Sequence, residues 1–269
     1  LVGADGGYSQ ADVTEFARAL TGWSLEGQGA GQTRRPNARR AALVADQPGG
    51  NGFAFRPILH EPGERTVMGR RHAEGGEAQG EAILRDLATR PQTAKRLARR
   101  IAVHFVADDP SPALVDALEK AWLSSNGRLD VVARALIAAP EAWAPAPAKV
   151  KTPYEFIVST HRALGTTPQR PQGLQQPLIA MGQPAFSAPS PKGWPDTAAD
   201  WAGPDALVKR LEWASTVADV ARGQREPVQI AEAALGPRLS DRTRTAVSRA
   251  ESRPEALTLF LMSPEFQRR

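Results

Sequence analysis

The sequence has no cysteine, and this absence excludes several kinds of site at once. There is no disulfide, no thiolate zinc site, no iron–sulfur cluster and no cysteine nucleophile. No apolar run approaches the roughly 18 residues that a membrane-spanning helix needs. The sequence also lacks a Gly-rich phosphate loop after a strand and a Gly-x-Ser-x-Gly nucleophile elbow. We therefore expect neither a membrane span nor a cofactor.

Lysine and aromatic residues are scarce, and this bears on the basic charge of the chain. The net charge is +5 and the sequence pI is about 9.9, which by itself suggests a polyanionic partner. Most of the basic residues are arginines, however, and adjacent arginines occur as separated pairs. A nucleic-acid surface needs clustered cations and stacking aromatics, whereas aromatics make up 6% of the chain. The pattern favours general solvation of the surface over nucleic-acid binding.

The remaining composition is typical of a globular protein, with 269 residues, 41% hydrophobic and 23% charged. Apolar residues recur at helical spacing along most of the chain, and capping signals stand at Ser9 and at Thr152-Pro153. Residues 53–69 alternate between apolar and polar and predict a single small β-hairpin. Residues 24–52 have no sustained period and predict a long exposed loop. We expect a mainly α fold of nine to ten helices.

An Ala/Pro-rich segment at residues 140–147 predicts a linker between two helical units. The N-terminal unit would span residues 1–143 and carry the long loop and the hairpin. The C-terminal unit would span residues 144–269 and carry a loop rich in proline and tryptophan. We expect the two units to pack as one globular body.

His60 and Glu61, near the tip of the predicted hairpin, are the best acid–base candidates. An imidazole beside a carboxylate can act as a general base or a metal ligand. The alternative is a turn in which the ring hydrogen-bonds neighbouring backbone. Arg65 follows the turn and would bind an anion or pair with Glu61 or Glu64. The four histidines have no metal-ligand spacing, so no metal site is predicted, and His104 is interpreted as a packed or surface residue.

A second candidate site lies in the proline-rich loop over residues 189–196 and at Trp201 beyond it. Tryptophans held by prolines suit stacking on sugars or packing against a partner. The alternative is that Trp194 and Trp201 fold back to fill the core. Lys149, Lys151 and Asp196 lie on predicted loops or helix starts and complete a set of substrate- or anion-binding candidates.

A series of motifs then runs in order along nearly the whole chain. They are Gly6–Val13, Ala17–Trp23, His60–Gly69, Arg90–Ala94, Phe105–Pro110, Lys149–Phe156, Met181–Pro184, Pro191–Pro195 and Ser263–Arg269. In these motifs the chain resembles a bacterial family catalogued as domain of unknown function 1800. That family commonly has His-Asp and a lysine where this chain has His60-Glu61 and Arg65. The residue types differ, but a carboxylate and a cation stand at the same positions.

The resemblance implies an exported protein of the periplasm or cell envelope. It also implies a partner, because genes of the family often lie beside a sulfatase-like family catalogued as domain of unknown function 1501. Family members are longer, with N-terminal helices ahead of the Gly6–Tyr8 region. We therefore expect this chain to be a fragment, with the apolar face of its first helix (Val13, Phe16 and Leu20) not fully buried.

Two functional hypotheses follow. In the first, the chain is a non-catalytic helical protein of the cell envelope that binds the sulfatase-like protein. In the second, it is a hydrolase-type enzyme acting on an extracellular polymer or an anionic substrate. His60 or Glu61 would then be the acid–base group, Arg65 and the two lysines would bind the anion, and Trp194 would stack on the substrate.

Overall fold

A computed structural model describes residues 2–25, 52–144, 147–168, 170, 172–190, 192–221, 223 and 225–269. Within these ranges the chain is mainly helical, as the sequence predicts, and it has twelve α-helices where nine to ten were expected. The helices are α1 (Gln10–Ala19), α2 (Glu77–Thr89), α3 (Pro91–Phe105), α4 (Pro112–Ser124), α5 (Leu129–Ala138), α6 (Pro153–Leu164), α7 (Gln172–Ala180), α8 (Ala198–Trp201), α9 (Pro204–Val220), α10 (Pro227–Leu235), α11 (Asp241–Ser248) and α12 (Arg253–Leu261). None of them combines the length and the apolar character needed to cross a bilayer.

Four short strands form two antiparallel pairs: β1 (Trp23–Leu25) with β2 (Phe53–Phe55), and β3 (Arg65–Val67) with β4 (Arg70–His72). The strand segments predicted within residues 53–69 are present, but they do not pair with each other, and this corrects the predicted hairpin. The reason is a tight turn at Met68 and Gly69, which both have positive φ values of 48° and 78°. Two such residues fold β3 back onto the segment that directly follows it. Most of the predicted loop 24–52 lies outside the described residues.

Gly22 allows β1 to approach the chain that follows β2. Its φ is +86°, and a Cβ at this position would lie 2.8 Å from the carbonyl oxygen of Arg56. The Arg56 amide donates to the Gly22 carbonyl at 2.8 Å, which continues the pairing of the two strands. Only glycine fits this conformation and this contact without strain. The turn also sets the adjacent Thr21 against the His60 loop.

The described residues divide into two compact units. Unit 1 comprises Leu1–Arg99 and Val115–Ala135, and unit 2 comprises Arg100–Leu114 and Leu136–Arg269. Residues 100–114 therefore group with the C-terminal part of the chain. The division at residue 143 stays a prediction.

In unit 1, the N-terminus of α1 is hydrogen-bonded to the β3–β4 turn. Ser9 and Asp12 form the predicted capping box, and Asp12 Oδ1 also accepts from the amide of Met68 at 2.6 Å. One carboxylate thus caps the helix and holds the β3–β4 turn against it. A small core packs beneath these elements: Ala19, Val67, Ile83 and Leu87. The apolar face of α1 is not fully buried: Val13 is 43% exposed, and Phe16 is partly buried.

Unit 2 contains the larger core, built from α6, α7 and α9 to α12. Helix α6 begins with the predicted capping box of Thr152 and Glu155, and it ends at Gly165 with a left-handed φ of 65°. Phe156 on α6 is fully buried and packs edge-on against Phe266 near the end of the chain. Packing of this core places the segment of Lys149 and Lys151 beside the terminal residues.

Candidate functional site

His60 lies in the loop before β3, with its ring almost entirely buried. Its Nδ1–H donates to the carbonyl oxygen of Thr21 at 2.9 Å, and its side chain is 5% exposed. Nε2 lies 3.6 Å from Oε1 of Glu74 and has no hydrogen-bond partner among the described residues. The carboxylate that faces the ring is therefore that of Glu74, not that of the sequence neighbour Glu61.

Arg65 lies within this loop and binds its backbone. Its side chain is 8% exposed, and its guanidinium donates to the carbonyl oxygens of Glu61 and Pro62 at 2.7 and 3.0 Å. Carboxylate oxygens of Glu15 and Glu61 each lie 3.7 Å from it, and Arg18 approaches Glu61 at 3.3 Å. An anion bound by Arg65 would have to displace these internal partners. The catalytic role of His60 and Glu61 and the anion-binding role of Arg65 stay predictions.

Lys149 is the most deeply buried cation among the candidates, with a side chain that is 2% exposed. Its Nζ donates to Oδ1 of Asp108 and to the carbonyl oxygen of Asp196. The other carboxylate oxygen of Asp108 accepts from the Ala198 amide at 2.7 Å. Burial raises the pKa of Asp108, but these hydrogen bonds outweigh it and leave the pKa below its ordinary value. Lys149 therefore forms an ion pair with Asp108 and anchors the proline-rich loop within unit 2.

Lys151 lies two residues further on, and its environment is different. Its Nζ sits 3.8 Å from the centroid of the Phe266 ring, which is a cation–π contact. Burial, with the nearby Arg238 and Arg210 charges, lowers the pKa of Lys151 from 10.5 to about 8, against the opposing effect of Glu155. This amine is the candidate cation that most easily gives up its proton near neutral pH.

The proline-rich loop is partly folded into unit 2. Trp201 is 5% exposed, and its indole N–H donates to the Pro195 carbonyl at 3.0 Å. This matches the alternative in which the ring fills the core. Trp194 is partly buried, so part of its surface remains open to solvent.

Sequence reasoning missed the histidine that meets this loop. Nδ1 of His104 lies 3.1 Å from Oδ1 of Asp196, and Oδ2 of the same carboxylate lies 3.9 Å from Arg100. Arg100 and His104 are four residues apart on α3, so both reach the same side of the helix. The ring of His104 is 45% exposed. The helical spacing was readable from sequence, but the 92-residue separation from Asp196 was not.

The candidate residues therefore fall into two groups, each within one unit. Unit 1 holds His60, Glu61 and Arg65, and unit 2 holds the rest: Lys149, Lys151, Trp194, Asp196 and Trp201. In the described part of the chain, no three His, Asp or Glu side chains lie together as a metal site would require.

Residues 2–268 match the model of a family described as "Protein of unknown function (DUF1800)". The chain belongs to this family. The resemblance inferred from the motifs is thus confirmed over essentially the whole length of this DUF1800 chain. No curated protein and no solved structure matches it.

We expect Lys151→Met to change how stability depends on pH. Between about pH 8 and 10.5 the folded protein has released a proton that the unfolded chain still binds, so wild-type stability rises with pH in this window. The variant, which lacks the amine, should lose a rise on the order of 3 kcal/mol and be at least as stable as wild type at pH 7. Urea unfolding at several pH values measures this. Lys192→Met, at an exposed lysine of the same unit, should keep the wild-type slope, and an unchanged slope in Lys151→Met would contradict the assignment.

Proposed function

We propose that this chain is an exported, partner-binding protein of the cell envelope and that its partner is a sulfatase-like protein. Binding by a helical surface is what the geometry supports best, and one apolar stripe on α9 carries the proposal. The choice of partner and of compartment rests on the gene neighbourhood and export that family membership implies.

The stripe on α9 passes from the core of unit 2 to the surface. Leu207, Leu211, Ala214 and Ala218 follow one another at spacings of four, three and four residues, which places them on one face of the helix. Ala214 and Ala218 are 0% and 2% exposed, whereas Leu207 and Leu211 are 40% and 47% exposed. Val208, beside them, is 53% exposed. The larger apolar side chains thus stand at the uncovered end of a stripe whose other end is packed.

Covering this end is energetically favourable. A fully exposed leucine contributes about 1.5–3 kcal/mol on burial, so each half-exposed leucine still has about 1 kcal/mol to contribute at an interface. The opposite side of the helix is polar there, since Lys209 pairs with Asp205 at 2.6 Å. An apolar strip beside a charged surface is the usual arrangement of a protein-binding face.

We expect Leu207→Asp to weaken the complex between the full-length protein and the sulfatase-like protein at least tenfold, because a carboxylate would be buried in the interface. Leu259→Asp is the matched control: Leu259 is 39% exposed, on α12 of the same unit, and lies outside the stripe. Its Kd should stay at the wild-type value. Titration calorimetry of the purified pair measures both.

The proposal would be wrong if the wild-type pair forms no complex at micromolar concentrations. It would also be wrong if Leu207→Asp and Leu259→Asp weaken the complex equally, because the stripe would then have no special part in binding. Size-exclusion profiles of the two variants show whether each remains folded and monodisperse.

A second candidate function, a hydrolase acting on an extracellular polymer or an anionic substrate, is favoured by the His104–Asp196 pair. A carboxylate on Nδ1 fixes the ring and its tautomer and leaves Nε2 to take a proton from an attacking water. His60 has its ring 95% covered and Glu61 is engaged by two arginines, so the exposed pair suits a bound substrate better. Arg100, 44% exposed beside the pair, supplies a cation for an anionic substrate.

For this candidate we expect the protein to hydrolyse at least one of three substrate types: p-nitrophenyl sulfate, p-nitrophenyl phosphate or a p-nitrophenyl glycoside. Removing a general base typically costs 10²–10⁴-fold in rate, so His104→Gln should lower kcat by at least about 100-fold. Asp196→Asn should lower it less, because the ring remains in place. His60→Gln should leave kcat unchanged. Loss of activity in His60→Gln but not in His104→Gln would instead favour the acid–base role predicted for His60.

A further inference from the structure

Unit 1 contains an apolar groove between the start of the chain, α1 and the β3–β4 turn. It has a volume of about 360 Å³, within the range of small-molecule pockets. Most of its walls are apolar. Its lining includes Tyr8, Asp12, Val13, Phe16, Met68 and Arg96.

One cation stands at this groove without an internal partner. Among the described residues, no carboxylate pairs with Arg96 and no hydrogen bond engages its guanidinium. This sets it apart from Arg90, which pairs with Asp86 at 2.7 Å, and from Arg70, which pairs with the same carboxylate at 2.6 Å. Arg96 is only partly buried, so its unpaired guanidinium is accessible to an anionic group from solution, with which it can form a charge-assisted pair.

Gly3 gives the guanidinium its position. A Cβ at Gly3 would lie 2.6 Å from Nη1 of Arg96 and 2.8 Å from its Cδ, so any larger residue would push the side chain away. The glycine has a φ of +82°, a conformation that favours it over other residues. The sequence thus keeps both the space and the backbone shape that let Arg96 lie along this side of the groove.

The carboxylate in the groove, that of Asp12, needs no ligand. It accepts from the Ser9 amide and hydroxyl at 2.7 Å each and from the Met68 amide at 2.6 Å. The Ser9 and Met68 hydrogen bonds hold the pKa of Asp12 below its ordinary value, so the group stays negatively charged. The negative charge of Asp12 disfavours an anion beside it. A negatively charged head group would therefore bind at the guanidinium of Arg96.

We propose that this groove binds a small amphiphile with one apolar tail and one carboxylate head group. The head group pairs with Arg96, and the tail lies against Val13 and Phe16 on α1. This inference is independent of the proposed partner surface on α9, since the two sites lie in different units.

The probe is decanoate, with decan-1-ol as an uncharged ligand of the same tail length, titrated into the purified chain below their critical aggregation concentrations. We expect decanoate to bind at one site per chain and decan-1-ol to bind at least tenfold more weakly. Arg96→Met should weaken decanoate at least tenfold and leave decan-1-ol unchanged. Arg85→Met removes an exposed arginine of the same unit, outside the groove, and should leave both Kd values unchanged.

A second variant keeps the test sharp if Arg96→Met fails to fold. Val13→Trp fills the groove from the exposed side of α1 and should abolish binding of both ligands, while circular dichroism reports an unchanged helix content. Equal affinity for the acid and the alcohol, or wild-type affinity in Arg96→Met, would overturn the proposal. So would a dimer of the wild-type chain that Val13→Trp dissociates, because the groove would then be occupied by a second copy.

Discussion

The architecture of unit 2 depends on the interactions of one buried ammonium group, that of Lys149. A buried lysine charge is costly unless it is fully paired, and here it pairs with the carboxylate of Asp108 and with the carbonyl oxygen of Asp196. Three separate stretches of chain meet at this one charge: the loop after α3, the segment before α6 and the proline-rich loop. The backbone beside Lys149 is tied down as well, since the Arg269 amide donates to its carbonyl at 2.9 Å.

The interactions of Lys149 also fix the position of Asp196. With the backbone of Asp196 fixed by Lys149, its side chain is presented to His104 and Arg100 on α3. The same loop is secured further on by the Asp108 carboxylate at Ala198. A general base needs a ring held in one orientation, and an irregular loop provides that only when it is anchored. The two proposals use different parts of unit 2: proton transfer is proposed for the anchored loop, and protein binding for the half-exposed stripe on α9.

Local signals in the sequence were sufficient for the helices and their caps. Ser9 and Thr152 announce helix starts because the groups they satisfy lie within three residues. The strand partners were not predictable in this way, because a turn at Met68–Gly69 depends on a left-handed conformation that methionine seldom adopts. The pairs Lys149–Asp108 and His104–Asp196 were invisible for another reason. Their members are 41 and 92 residues apart, and no local pattern encodes contacts at such separations.

If Lys149 anchors the proline-rich loop, its removal should expose backbone amides of that loop to solvent, and amide hydrogen exchange measures this directly. The reporter is the Ala198 amide, whose hydrogen bond to Asp108 exists only while the loop is in place. In Lys149→Met we expect protection at Ala198 to fall at least tenfold, while amides of the buried core helix α12, such as Phe260, keep theirs. Unchanged protection at Ala198 in this variant would show that other contacts hold the loop and would contradict the anchoring role of Lys149.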